Sequence, residues 1–212
     1  LMIKGTLIAA LIATAGFAAP ASAAILVGGI GSTETIPDNF SFKGNLASDF
    51  SLVSQSNDLL SINLTSPARL TFYALGSESG LENTFSFGPV TSTEQNFSYD
   101  ASRVIGSLDV ASAVSLGGLV FTSNGGVPAV PGMSNFGIFL PNGFNGASFD
   151  TNWLVIGYDD GGSSDNDFDD FVVGIQVSPI PEPHIWALMI AGFGLVGMQL
   201  RRHRNRSPSV AC

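Results

Sequence analysis

The chain has 212 residues, a formal net charge of −9 and an isoelectric point of about 4.3. Between residues 24 and 180 the only basic side chains are Lys43, Arg69 and Arg103, against all but one of the seventeen Asp and Glu. Neutralising a phosphate backbone needs clustered Lys and Arg, so nucleic-acid binding by this body is excluded. The single cysteine is Cys212, and the two histidines are His184 and His203. A body without Cys or His has no disulfide, thiol nucleophile, Ser-His-Asp triad or His-ligated zinc, and among common acid–base schemes only carboxylate chemistry remains.

In chain order, Lys4, the apolar run Gly5–Phe17 and the small-x-small triplet Ala21-Ser22-Ala23 read as a secretory signal helix cleaved after Ala23, so residues 1–23 are set aside from the fold. Residues 24–38 are Gly-rich and polar and are expected to be an extended or loosely ordered segment. From 39 to 177 the pattern is alternation. Leu60, Ile62 and Leu64 form one set, Leu70, Phe72 and Ala74 a second, and Phe136, Ile138 and Leu140 a third. Trp153, Val155 and Gly157 follow, then Phe171, Val173, Ile175 and Val177. A period of two puts each set on one face of a strand. Polar turns such as Gly76-Ser77-Glu78-Ser79-Gly80, Asn124-Gly125-Gly126 and Asn142-Gly143 separate them, and Val127–Pro131, with two prolines, reads as a loop. The expected fold is all-β, an antiparallel, jelly-roll-like β-sandwich whose core is filled by phenylalanine.

One stretch concentrates charge. Residues 159–170 hold six aspartates in twelve positions: Asp159, Asp160, Asp165, Asp167, Asp169 and Asp170. Carboxylates this close repel unless a cation or solvent offsets them. Calcium takes six to eight oxygens at flexible geometry, so all six are candidate calcium ligands. Asp165, Asp167 and Asp169 have the spacing that opens an EF-hand loop, but Asp170 stands where that loop needs Gly and Glu182 is at no useful distance. Capping of backbone N–H groups in Asx-turns is the competing use of these side chains. The segment 157–173 is similar to an acidic stretch of DUF4114-like secreted β-sandwich domains. That resemblance implies that Asp167 and Asp170 fix the loop through hydrogen bonds or metal while Phe168 and Phe171 anchor it. Trp153 is the one aromatic large enough to consider for sugar stacking, although its alternating strand favours burial.

Residues 178–184 form a Pro-rich linker, 185–200 an apolar run read as a single transmembrane helix, and 201–212 a basic cytoplasmic tail. Sixteen residues are few against the roughly 20 that span a bilayer. Trp186 sits at one edge and Arg201, Arg202, Arg204 and Arg206 at the other, which keeps the basic end in the cytoplasm while the body is exported. Gly192, Gly194 and Gly197 give the helix small residues for close packing.

Pro181-Glu182-Pro183, the run Trp186–Gly197 and the arginine cluster together resemble the PEP-CTERM sorting signal. That resemblance covers residues 181–206 and makes Pro181, Glu182 and Pro183 the recognition residues. It implies processing by an exosortase in the inner membrane, after signal peptidase has acted at the other end. The destination it implies is the cell surface or extracellular matrix of a Gram-negative bacterium, after a transient single-pass anchor. The functional expectation is a non-enzymatic structural or adhesive protein linked to exopolysaccharide. The alternatives are a carbohydrate-binding module and a carboxylate-dependent glycoside hydrolase.

Overall fold

The computed structural model describes residues 23–55, 61–144, 148–161, 167–180 and 183–204. The predicted signal helix, Asp165, Pro181, Glu182 and Arg206 lie outside them. The fold is all-β, antiparallel and sandwich-like. One layer is a seven-stranded sheet in the order β2 (Ile30–Glu34), β3 (Phe50–Gln55), β10 (Phe136–Pro141), β12 (Trp153–Tyr158), β13 (Phe171–Pro179), β5 (Ala68–Gly76), β8 (Val104–Val110). Facing it are two three-stranded sheets. The first runs β11 (Ser148–Thr151), β1 (Ile25–Gly28), β4 (Ser61–Leu64), and the second β7 (Val90–Glu94), β6 (Asn83–Phe87), β9 (Val120–Ser123).

The alternation decides which side of each strand faces inward. Leu70, Phe72 and Ala74 of β5, Ile138 and Leu140 of β10, Leu154 and Ile156 of β12, and Val173, Ile175 and Val177 of β13 all enter the main core. Ile25, Val27, Ile62, Leu64, Phe85, Phe87 and Phe121 meet them from the opposite layer. Aromatic rings fill the middle: Phe121 stacks flat on Tyr158 at 5.2 Å and 2°, and touches Phe85, Phe136 and Phe171 within 5.8 Å. Offset and edge contacts of this kind contribute about 0.5–1.5 kcal/mol each beyond the area they bury.

The outer face of the large sheet is covered over part of its width. Ile36, Phe40, Phe42 and Leu46, the last on the single-turn helix α1 (Lys43–Leu46), pack on Leu52, Leu75, Phe139, Val155 and Val172. Phe40 lies 5.2 Å from Phe139, ring centre to ring centre. This strap forms a second, smaller core on the outer side of the sheet.

Three boundaries differ from the sequence reading. The segment 24–38 is extended, as one of the two expectations had it, but it belongs to the sandwich: β1 is the middle strand of its sheet, pairing Ile25 with both Thr151 and Leu64, and β2 pairs β3. Ile25 and Val27 are fully buried, and Ala23, at the expected cleavage site, is buried as well. Three consecutive apolar side chains and a glycine show no alternation, yet a central strand gains ladder bonds from both neighbours. The linker is shorter than expected, since β13 runs to Pro179 and α2 (Pro183–Arg204) begins at Pro183, a first-turn position that proline suits. Arg201, Arg202 and Arg204 continue that helix rather than forming a separate tail. No helix among the described residues is long and apolar enough to cross a membrane.

Because β1 holds β11 and β4 together, a chain starting at residue 39 should lose its cooperative thermal transition and near-ultraviolet circular dichroism, while one starting at Ala24 keeps both. Equal melting midpoints for the two chains would show that the first two strands are dispensable.

Candidate functional site

The acidic stretch leaves β12 at Tyr158 and returns to the sheet at Phe171, so it caps one end of the sandwich. Its five described aspartates are not solvated. Asp159, Asp160, Asp167, Asp169 and Asp170 are 3%, 2%, 3%, 0% and 6% exposed. Buried carboxylates need donors, and two other chain segments supply them, while a third binds the main chain beside them.

Asp160 and Asp170 form the inner half. Asp160 Oδ2 accepts from Ser79 Oγ at 2.6 Å and from Asn83 Nδ2 at 3.1 Å, and the Asp160 N–H donates to Asp170 Oδ2 at 2.7 Å. The Asp170 carbonyl accepts from Ser77 Oγ at 2.7 Å and from Asn83 Nδ2 at 3.2 Å. Asp159 caps the turn, its Oδ1 accepting from the Gly161 N–H at 2.8 Å, and Asn135 binds its backbone from both sides. Of these contacts the Asp159–Gly161 bond is the Asx-turn expected of the stretch, and the others are long-range bonds made in the interior. Beneath them the Tyr158 hydroxyl donates to the Val127 carbonyl at 2.5 Å. Burial, then the Asp160, Asp170 and Asp159 charges, push its ionisation well above the ordinary tyrosine range.

Asp167 and Asp169 form the outer half, with Phe168 between them. Phe168 has a φ of +66°, a conformation rare for a side chain of this size. Its place is made by two glycines paired across β10 and β12, Gly137 and Gly157. A Cβ at Gly137 would stand 2.7 Å from the Phe168 Cγ, and one at Gly157 would collide with the Phe168 carbonyl oxygen. With Phe168 seated in that groove, Asp169 bridges to Tyr158 and accepts the Ser41 N–H at Oδ2, and Asp167 Oδ2 accepts from Asn39 Nδ2 at 3.3 Å. The strap is therefore tied to the acidic stretch at two points. Glu78, whose N–H donates to the Asp169 carbonyl at 3.0 Å, joins from the 77–83 loop.

Carboxylate oxygens of Glu78, Asp167 and Asp169 lie within 4.8 Å of one another. Ligands of one calcium ion, each at about 2.4 Å, are never more than about 4.8 Å apart. Of the six aspartates expected as ligands, Asp167 and Asp169 converge in this way, and Asp159, Asp160 and Asp170 serve hydrogen bonds within the fold. Asp165 lies outside the described residues. Glu78 was missed by sequence reasoning, and its one local signal is being the only acid in the turn 76–80. Trp153 is half-buried on the outer face of the sheet, its ring edge-on to Tyr73 at 5.3 Å. No family model, curated protein or solved structure matches the chain.

Burial raises the Asp170 carboxyl to about 7, the donor at Asp160 N–H opposes that rise, and the Asp160, Asp159 and Asp169 charges add to it. The folded protein therefore holds a proton that the unfolded chain, ionising near 3.8, has released. This group's contribution to stability is complete below about pH 4, declines as pH rises to about 7 and is lost above that. In chelator, Asp170→Asn should melt about 2–4 °C higher than wild type at pH 7.5, the shift that ~1 kcal/mol produces in a domain of this size once screening is allowed for. At pH 4 the two melting points should converge. A difference that stays constant across this range would remove Asp170 as the titrating group.

Proposed function

We propose that this chain is an exported, non-enzymatic surface or extracellular-matrix protein, sorted through a PEP-CTERM-type tail, cut by an exosortase, and stiffened by calcium at the acidic junction. The body is read as jelly-roll-like. The observation that carries the sorting part is the state of α2. Leu188, Ile190, Phe193, Leu195, Met198 and Leu200 are each more than 60% exposed, and Arg201 and Arg202 follow directly. Apolar side chains on every side of a helix have a place in lipid rather than water. A sixteen-residue run matches the bilayer core only with its flanking arginines reaching out to the interface, an adequate arrangement for a temporary anchor. Gly192, Gly194 and Gly197 stand in open space on this helix, available to a membrane partner.

The use made of three of the aspartates supports the non-enzymatic reading. Glycoside hydrolysis needs two carboxyl groups facing a common substrate space, about 5–10 Å apart. Asp159, Asp160 and Asp170 instead serve internal donors. The calcium part rests on charge. Lys43, Arg69 and Arg103 pair with Asp38, Asp109 and Glu94, leaving the junction to donors, protons and metal ions. Glu78, Asp167 and Asp169 are the residues that would hold the ion, with Glu78 exposed at its entrance. Bound there, calcium would cancel charge and lock the strap and the 77–83 loop to the sheet.

Two experiments test these parts separately. Replacing Pro181, Glu182 and Pro183 together by Ala, in a host carrying an exosortase, should leave an uncut form in the inner-membrane fraction while wild type is shortened and leaves it. Identical size and fractionation of both would overturn the sorting reading. In vitro, millimolar calcium should raise the melting point of wild type at pH 7.5 by several degrees, about RT ln(1 + [L]/Kd) in free energy. The same calcium should leave Glu78→Gln and Asp167→Asn unmoved. No shift in the wild type at millimolar calcium would sink the metal site.

A further inference from the structure

The outer face of the seven-stranded sheet is divided. The strap of residues 36–46 seals one part with phenylalanines, and the rest stays open across β12, β13, β5 and β8. Register fixes what that open part presents. Trp153 stands opposite Gln176, Gln176 opposite Thr71, and Thr71 opposite Ser107; one step along, Ser178 stands opposite Arg69 and Arg69 opposite Asp109. Tyr73 is next to Thr71 on the same face, where it packs against the edge of the strap core, is half-buried like Trp153, and holds the indole edge-on at 5.3 Å and 65°. Its hydroxyl donates to Gln176 Oε1 at 3.0 Å, which fixes the exposed amide. Arg69 forms a two-pronged pair with Asp109 at 2.6 and 2.8 Å, so its charge is cancelled in place.

We propose that this strip, with Trp153 and Tyr73 as its aromatic pair and Gln176, Thr71 and Ser178 as its polar row, binds a neutral polysaccharide. The chemistry matches on three counts. The C–H faces of a hexose ring are apolar and stack on an aromatic held at a fixed angle. Its hydroxyls take hydrogen bonds from a positioned amide and hydroxyls. Its lack of charge suits a strip whose one cation is already paired, on a chain of net charge −9 that would repel anionic polymers. Strands about 4.8 Å apart would offer successive side chains to a segment of about three sugar rings laid across them. The strip is no seat for a second strap, because the part already covered is closed by phenylalanine and leucine, whereas this part is polar around its two aromatics. The inference deepens the surface-protein reading by supplying the matrix component to be held.

The test is affinity electrophoresis of the full chain in detergent, through gels containing hydroxyethylcellulose, galactomannan or, separately, anionic alginate. At least one neutral polymer should retard the wild type. Trp153→Ala should weaken that retardation about tenfold, as loss of a central aromatic anchor does, with Gln176→Ala giving a smaller loss and Trp153→Phe restoring part of it. Unchanged melting points would show that the variants fold; should Trp153→Ala melt early, the exposed Gln176→Ala carries the decision. Retardation by neither neutral polymer, retardation by alginate alone, or equal retardation of Gln176→Ala and wild type would overturn the proposal. So would sedimentation showing a dimer that Trp153→Ala dissolves, since the strip would then be covered by a second copy. Because the binding is measured on purified protein, its failure leaves the sorting experiment untouched, and a failure of sorting leaves the strip standing.

Discussion

Five aspartates buried at one end of a sandwich set the terms for everything around them. Taking a carboxylate out of water costs several kcal/mol unless donors replace the lost hydration. Here the donors to carboxylates come from far along the chain: Asn39 and Ser41 from the strap, Ser79 from the loop before β6 and Asn83 at the start of β6, while Ser77 and Asn135 hold the Asp170 and Asp159 main-chain carbonyls. Each bond that offsets a charge also ties a distant segment to the ends of β12 and β13. The junction is a structural hub because it is electrostatically demanding. Removing one donor would leave a buried acceptor unsatisfied, which costs more than the bond itself contributes.

The same region shows how backbone strain is held in place. A left-handed phenylalanine costs about 1–2 kcal/mol, a sum that burying the ring on the sheet offsets. What makes the seat is the absence of side chains at Gly137 and Gly157, which face each other on neighbouring strands. Phe168 in turn sets the positions of Asp167 and Asp169 on either side of it. A packing feature of the sheet thus determines whether three carboxylates meet at the spacing of a single cation.

Much of this was legible in the sequence, and the parts that were not share a cause. The strands read from alternation, those containing Ile62, Phe72, Ile138, Val155 and Val173, all exist, because each buries a face against the opposite layer or the strap. Strands such as β2, Ile-Gly-Ser-Thr-Glu, and β7, Val-Thr-Ser-Thr-Glu, were missed because one apolar residue in five carries no period. Their stability comes from ladder bonds to a neighbour, which only the tertiary fold supplies. The acidic stretch was visible as composition, yet its division was not. Which aspartates cap turns and which converge with Glu78 depends on a loop about ninety residues earlier, brought in by the pairing of β5 with β13.

Trp153 shows how a single parity decides what a residue is for. It is the first residue of a strand whose next member, Leu154, is fully buried in the main core, and Ile156 confirms the register two positions on. A slip of one residue would put the indole inside and turn both aliphatics to solvent, so the apolar pair holds the tryptophan outward as firmly as it holds itself inward. Val155, with the same outward parity, is covered by the strap, and Trp153 lies beyond the strap's reach. The main core needs nothing from it. A large aromatic on the outer face, braced by a tyrosine that also orients a glutamine, is the feature on which the proposed polysaccharide strip rests.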